Sequence, residues 1–373
     1  MSFANIPGGR ASARSSTILP LGMTLGVPCL VGALCALYAW HTQRNPPHLL
    51  IDFDQNYAAA RFLRQGRDPY RLIGPGREFD WQWPLFYPLT TAVAALPFTL
   101  FPKWLAPIVL AGIGSAAFTM ALQRSAQRGA WRFLALMSKP FLVAVVTGQA
   151  SCLLATAFVL SPFASLAAIK PNIGAAIVAA RADRRGIVAA MIGGAILLSI
   201  SLAMRPSWIG EWLSAVRTNP FRLPAIARPG GFLLALAVLR WRRPEARLLL
   251  ALSVVPQTLF IYDALPLFFI PRRATEAIAL VVLSHFAFLM ALNQNAADVN
   301  SQIVVVGNWV VWCLFLPCLA LVLLRPNESN STTSQATIGA PRSQGGSAPN
   351  LLSSQRGAGP SFARRNTMKM LGQ

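Results

Sequence analysis

Long apolar runs separated by short polar breaks dominate this sequence. They cover residues 18–40, 84–122, 133–147, 150–180, 186–204, 231–239, 248–270, 276–292 and 303–324. Several extend over about 17–25 residues with almost no charge, the length a helix needs to cross a bilayer. The runs are apolar on all sides and do not alternate, which predicts helices and argues against a barrel of amphipathic strands. Proline interrupts some of them, at Pro97 and Pro102, at Ser161-Pro162 and at Lys170-Pro171-Asn172. The pattern therefore predicts an all-α, polytopic helical membrane protein with roughly 9–11 spans, the range reflecting the proline-broken segments. No internal repeat is visible, which weakens a reading as an inverted-repeat transporter.

The flanks differ from this core. Residues 1–17 are polar and carry Arg10 and Arg14, which predicts a cytoplasmic N-terminal segment. The run 18–40 is too long for a signal-peptide core, so it reads as the first membrane helix of a transmembrane domain spanning 18–325. Residues 326–373 are rich in Ser, Asn, Gly and Pro and read as a disordered tail. Between the first two apolar runs lies a polar stretch, 41–87, expected as the first outer loop. Within it, residues 54–65 predict a short interfacial helix lying on the membrane, with aspartates at its start, Gly66 as its stop and one side on lipid or protein. Arg67-Asp68-Pro69-Tyr70 predicts a turn, because Pro69 disfavours helical geometry at the residue before it.

Charge sharpens the picture. The 373 residues are 54% hydrophobic and 12% charged, with a net charge of +21, against about 25% charged in soluble domains. The arginines sit in short clusters between apolar runs, at 124–132, 181–185 and 240–247, which is a topology signal and not a nucleic-acid footprint. Arg272 and Arg273 do not fit the side expected from their neighbours. Cys29, Cys35, Cys152, Cys313 and Cys318 all lie in apolar runs without metal-ligand spacing, and His41, His48 and His285 form no cluster. No cysteine or histidine metal site is expected.

The chain has only twelve acidic residues, and five of them, Asp52, Asp54, Asp68, Glu78 and Asp80, fall in the first loop. Scarce ionisable groups beside a membrane are candidates for chemistry. Asp54 reads as a catalytic base or as a helix N-cap, the latter contributing about 1 kcal/mol. Asp52 caps equally well, with Gln55 three residues on completing a capping box; it is the better cap and Asp54 the better base. Lys170 reads as a phosphate contact or as a lysine snorkelling from a helix break. Asp263 reads as a site residue or as a polar partner for a neighbouring helix, and Gln149 as a ligand contact or a packing hydrogen bonder. Arg61, Arg64, Arg67 and Arg71 together would present forked donors to a lipid phosphate.

The order of these signals resembles the GT-C membrane glycosyltransferases, specifically glycosyltransferase family 87, which includes polyprenyl-phosphate-mannose-dependent mannosyltransferases. The resemblance rests on Asp54 three residues before Tyr57, on Gly66-Arg67-Asp68-Pro69-Tyr70, on Phe86-Tyr87-Pro88-Leu89, on Gly148-Gln149 and on Lys170-Pro171. It covers about residues 18–325. The chain departs from the family's pattern at Leu89, where a second proline is usual, at Ser151, and at Tyr262-Asp263, where a histidine is common.

The resemblance implies an inverting transfer of a hexose or pentose, mannose first, from a polyprenyl-phosphate-linked sugar donor to a glycolipid or polysaccharide acceptor. Asp54 would be the general base, with Asp52, Tyr57, Arg61, Arg64, Asp68, Tyr70, Tyr87, Gln149, Lys170, Asn172, Tyr262 and Asp263 around the substrates. It implies a site facing the periplasm or cell exterior in a bacterial inner membrane, surrounded by lipid, with no cofactor and no nucleic-acid partner. Two other readings share the same helices: a transporter or flippase of a lipid-linked sugar, and an inactive GT-C-like assembly protein.

Overall fold

Proline sets where several of the helices start. A proline in the first helical turn loses no hydrogen bond, because the N–H it lacks has no partner there in any residue. A computed structural model of the chain describes residues 21–44, 52–219, 223–294 and 296–325, and it is mostly helical. The expected N-terminal segment 1–17 and tail 326–373, and His48, lie outside the described residues. The helices are α1 (Leu21–Arg44), α2 (Asp52–Arg64), α3 (Pro69–Leu72), α4 (Leu89–Ala95), α5 (Ala106–Arg124), α6 (Lys139–Val146), α7 (Ser151–Ala157), α8 (Pro171–Arg181), α9 (Arg184–Met204), α10 (Trp208–Arg217), α11 (Pro244–Val254), α12 (Ala274–Asn293), α13 (Val299–Val310) and α14 (Leu316–Leu323). A short π-helical turn, Val311–Phe315, joins α13 to α14 into one rod. Prolines sit in the first turn of α3, α5, α6, α8, α11 and α14.

Five of these helices among the described residues are long and apolar enough to cross a membrane: Thr24–Arg44, Ala106–Arg124, Arg184–Met204, Ala274–Asn293 and Val299–Leu323. The other apolar runs are chopped into shorter pieces. Residues 130–137, 161–169, 231–240 and 261–269 wind as tighter 3₁₀ segments. The run 84–122 becomes α4, a 3₁₀ turn at Leu96–Leu100 and the single long helix α5. α8, with eleven residues, is about 16 Å long, half a hydrocarbon core of about 30 Å. Lys170 at its start thus lies in the body of the helical assembly. Along α9, Ile187, Met191, Ile192, Ile196 and Ile200 are all exposed. A fully apolar exposed helix suits hydrocarbon as its surroundings, not water.

The arginine clusters of 124–132, 181–185 and 240–247 gather at one end, together with Arg272, which the linear pattern left unplaced. Arg272 bonds Glu245 at 2.7 Å, beside the 240–247 cluster. Arg247 donates to the carbonyl of Ala180 at 2.8 Å, next to Arg181 and Arg184. Gln127, within the 124–132 cluster, donates to Phe268 O and Pro271 O. Arg325 closes the group, bonding Glu276 and the carbonyl of Ile270. Arg272 is brought there because residues 261–269 run back from the opposite end, a crossing that the single apolar run 248–270 concealed. The opposite end holds the first loop: Asp54 pairs with Lys103, Arg205 at the end of α9 with Asp68, and Trp83 with Asn300 at the start of α13.

The expected interfacial helix sets its buried side against protein. α2 buries Phe53, Gln55, Asn56, Tyr57, Ala58, Ala59, Ala60, Phe62 and Leu63. Its run of three alanines lets α4, α5 and the 3₁₀ turn approach closely, and only Arg61, Arg64 and the neighbouring Gln65 face outward. A minimal parallel pairing of Ile73–Gly74 with Phe79–Asp80 closes the loop after α3.

α1 reaches the rest of the protein by close backbone approach to α5. A Cβ added at Gly32 would stand 2.8 Å from Gly112 O and 3.0 Å from Ala116 Cβ. Small residues at such a crossing let membrane helices pack without a hydrophobic driving force. Gly32→Val therefore overpacks the crossing, with a cost of about 1–3 kcal/mol. A Cβ added at Gly112 would stand 3.4 Å from Ala36 Cβ, close to disulfide spacing. Ala36→Cys combined with Gly112→Cys, in an otherwise cysteine-free background, should cross-link readily. Adding Gly32→Val should reduce that yield; an unchanged yield refutes the crossing.

Candidate functional site

Helical spacing decides which first-loop carboxylate faces the interior. Residues two apart on a helix are about 200° apart, and residues three apart about 60°. Asp52 and Gln55 therefore share one face of α2, and Asp54 points away from it. Both Asp52 and Gln55 line a cavity of ≈ 450 Å³, together with Trp81, Trp83, Tyr87, Lys170, Asn172, Trp212, Gln257, Phe260 and Tyr262. Its size lies within the range of small-molecule sites. Asp54 is not among the lining residues. It forms an ion pair with Lys103 at 3.0 Å on the other side of the helix.

Asp52 is held by elements far apart in sequence. Its Oδ2 accepts from Gln149 Nε2 at 2.7 Å and from Tyr262 Oη at 2.8 Å. It does not act as the expected cap, and Gln55 does not complete a capping box: Gln55 Nε2 donates to Pro84 O at 3.4 Å instead. Beside Asp52 lies a buried ion pair. Lys170 Nζ bonds Asp263 Oδ1 at 2.6 Å, with the carboxylate fully buried and the lysine side chain 16% exposed. The ammonium also lies 5.1 Å from the centre of the Tyr262 ring, within cation–π range. Tyr87 completes the group, its hydroxyl close to Gln149 and within the field of Lys170 and Asp52. Burial pushes the Asp52 carboxyl above the ordinary aspartate range, and the hydrogen bonds from Tyr262 and Gln149 oppose that rise.

Local sequence explains how these groups meet. Gly148 adopts φ +64°, and a Cβ there would stand 3.0 Å from Phe53 Cβ and 3.2 Å from Pro107 Cβ. Its bare backbone lets the start of α2 dock, with Phe53 N donating to Thr147 O, and turns Gln149 onto Asp52. The Phe86-Tyr87-Pro88-Leu89 stretch leads into α4, where Thr90 Oγ1 donates to Ala168 O at 2.6 Å. That bond ties the cavity wall to the stretch of chain before Lys170. Pro171 then starts α8 and fixes Lys170 at its head.

The remaining residues expected at the site support it from outside. Asp68 caps α3 by accepting from Tyr70 N at 2.9 Å and pairs with Arg205 at 2.5 Å. Tyr70 Oη donates to Tyr87 O at 3.1 Å, so the Gly-x-Asp-Pro-Tyr turn braces the cavity wall without lining it. Tyr57 Oη donates to Phe101 O at 2.9 Å. The arginines expected to hold a phosphate are placed elsewhere. Arg64 reaches Thr99, Arg67 pairs with Glu78 and Arg71 with Asp68, and neither these nor Arg61 lines the cavity. Of the cavity-lining residues that are described, Lys170 is the one cation.

Sequence patterning does not single out several cavity residues: Gln55 as a wall residue, Trp81, Trp83, Trp212, Gln257 and Phe260. The i, i+3 spacing of Asp52 and Gln55 is a signal that would have found the first. No local signal marks Gln257, which reaches the site through the turn after α11. Trp83 Nε1 donates to Asn300 Oδ1 at 2.8 Å and Trp212 Nε1 to Phe86 O at 2.9 Å. Both indoles thus commit their polar edge to protein and offer carbon surface to the cavity. The chain matches no protein-family model, no curated protein and no solved structure.

Removing one partner of a buried ion pair leaves an uncompensated charge and costs about 3–5 kcal/mol. Lys170→Met should therefore lower the unfolding midpoint in detergent sharply, and Lys170→Met/Asp263→Leu should recover most of the loss. Equal midpoints for the single and double variants would show that the pair is not a coupled unit. At the junction, Gly148→Ala should destabilise by about 1–3 kcal/mol through its positive φ alone, more with the Phe53 contact, measured in the same melt.

Proposed function

We propose that the chain is an integral-membrane glycosyltransferase of the GT-C kind, similar to family 87. It transfers a hexose or pentose, mannose first, from a polyprenyl-phosphate-linked donor to a glycolipid or polysaccharide acceptor. The base is Asp52 rather than Asp54. One observation carries this reading: in a helical, lipid-compatible assembly, a carboxylate lines a ligand-sized cavity with one oxygen held by Gln149 and Tyr262. Both hydrogen bonds go to Oδ2, so Oδ1 is the oxygen available to a substrate.

The chemistry follows from that geometry. Asp52 Oδ1 takes the proton of the acceptor hydroxyl as its oxygen bonds to the anomeric carbon. The bond from that carbon to the phosphate oxygen breaks on the opposite face, inverting the centre, and the lipid phosphate leaves with the electron pair. Lys170 is the cavity's cation and offsets the charge developing on the leaving oxygen. Tyr262 and Gln149 keep the carboxylate aimed. The arginine-rich end faces the cytoplasm under the positive-inside bias, which directs the cavity to the periplasm or cell exterior of a bacterial inner membrane.

The test is sugar transfer by the full chain in liposomes carrying a polyprenyl-phosphate sugar. Asp52→Asn should lower turnover by about 10²–10⁴-fold, and Asp54→Asn should leave most of it. The reverse ranking returns the base to Asp54. Movement of donor across the vesicle without a new glycosidic bond identifies a transporter or flippase instead. The pH dependence is a separate check. Because burial raises the Asp52 pKa, the active carboxylate form is lost as pH falls through a value above the usual one of about 3.9. The acidic limb of kcat should lie above the ordinary aspartate range, and a limb at or below it removes Asp52 from the role.

A further inference from the structure

Lys170 shares its charge with Asp263, yet a departing lipid phosphate gains negative charge as its bond to the sugar breaks. Neutral donors beside the lysine must carry part of that load. Most side-chain donors around the cavity are committed to protein. Gln149 Nε2 donates to Asp52 Oδ2, Gln55 Nε2 to Pro84 O and Asn172 Nδ2 to Pro256 O. Gln257 Nε2 donates to Leu252 O at 3.0 Å, and the indoles of Trp83 and Trp212 to Asn300 and Phe86. Tyr57, Tyr70 and Tyr262 each give their hydroxyl to a protein oxygen. Tyr87 lines the cavity half-buried, and its hydroxyl has no bonded acceptor among the described residues. Nor is that hydroxyl one of the sealed polar atoms without a partner, so it keeps surface open to the cavity.

The backbone sets this hydroxyl beside Lys170. The carbonyls of Phe86 and Tyr87 are each held by a side-chain donor, Trp212 Nε1 at 2.9 Å and Tyr70 Oη at 3.1 Å. Pro88 follows, and α4 begins at Leu89. From the first turn of α4, Thr90 Oγ1 donates to Ala168 O and Thr91 Oγ1 to Ile169 O. Ala168 and Ile169 are the two residues before Lys170. The chain at Tyr87 and the chain at Lys170 are thus stitched together, and both side chains line the cavity. The Tyr87 hydroxyl feels the charge of Lys170 more strongly than that of Asp52.

We infer that Tyr87 is a second catalytic residue, whose hydroxyl donates a hydrogen bond to the phosphate oxygen leaving the anomeric carbon, next to Lys170. The inference rests on the glycosyltransferase reading and adds a neutral donor on the leaving side. The step balances without a proton on that side. Asp52 Oδ1 takes the acceptor proton, the acceptor oxygen bonds to the anomeric carbon, and the electron pair of the broken bond goes to the phosphate oxygen. The lipid phosphate departs with one more negative charge than it carried in the donor. The Tyr87 proton stays on Tyr87, and its hydrogen bond strengthens as that charge grows, which lowers the barrier. A phenol suits the place because it donates while neutral and brings no second buried charge.

The full chain in liposomes is assayed with polyprenyl-phosphate mannose. Tyr87→Phe keeps the ring and loses the donor, so kcat should fall by about 10²-fold with KM moved by no more than about threefold. A second donor, fluorinated at the second carbon of the lipid, releases a less basic phosphate that needs less help. With it, the deficit of Tyr87→Phe should shrink by about threefold or more, which a merely structural role would not produce. Added polyprenyl phosphate, the released product, should inhibit the wild type about tenfold more strongly than Tyr87→Phe. The variant is compared at a melting midpoint within a few degrees of wild type. Where it melts lower, 3-fluorotyrosine in place of Tyr87 is used instead: nearly the same size and a stronger donor, it should tighten product inhibition by about threefold. A kcat within about threefold of wild type, an equal deficit with both donors, or product inhibition unmoved by either replacement overturns the inference and leaves sugar transfer intact. Absence of transfer by the wild type from polyprenyl-phosphate-linked mannose, glucose and arabinose overturns the glycosyltransferase reading beneath it.

Discussion

A lysine and an aspartate buried side by side constrain this molecule more than any other contact. Neither charge is tolerable alone in an apolar interior, so Lys170 and Asp263 must arrive together. They come from the head of α8 and from the 3₁₀ segment after α11. Bringing them together fixes two broken helices at the same depth and places Tyr262, the neighbour of Asp263, against Asp52. The cavity is the space left around that junction. Its polar groups are ordered because the ion pair permits one arrangement of the surrounding chain ends. The proline breaks serve the same end: they deliver helix starts and chain reversals inside the assembly, where an unbroken helix would supply neither.

The first loop is fitted to this junction from outside. α2 enters on alanines and on the bare backbone of Gly148, and its start brings Asp52 to Gln149 and Tyr262. The Asp68–Arg205–Glu211 network then ties the loop to the far end of α9 and the start of α10. The loop's arginines stand outside the cavity: Arg67 pairs with Glu78 and Arg71 with Asp68, while Arg61 and Arg64 are exposed on the outer side of α2.

What was legible in the sequence follows the range of the forces concerned. Apolar length marks the long helices, and the prolines mark the breaks, because both act locally. Gly148-Gln149, Lys170-Pro171 and Tyr262-Asp263 were recognisable as unusual because polar groups are costly in such surroundings. Their mutual contacts were not legible: Lys170 and Asp263 are ninety-three positions apart, and no periodicity encodes which pair closes. The unplaced Arg272 had the same cause, since the pairing with Glu245 depends on a reversal hidden inside one apolar run. Gln257 was invisible for a different reason. It is an ordinary polar residue after a helix, and only the position of Leu252 O reveals which way its amide is turned.

The proposed exchange of roles between Asp52 and Asp54 turns on where motif spacing and geometry part. Counting three residues from Asp54 to Tyr57 treats the motif as a string. On a helix, the same count of three joins Asp52 to Gln55, and it is this pair that shares the cavity face. Asp54 instead lies on the side where Lys103 waits just before α5, outside the cavity wall. Burial raises the proton affinity of both carboxyls, and a lysine opposes the rise at each, Lys103 at Asp54 and Lys170 at Asp52. Basicity therefore does not separate them, and position does. A general base must reach the proton it takes. Of Asp52 and Asp54, the one proposed for proton transfer is the one that neutral donors hold on the face of a ligand-sized cavity.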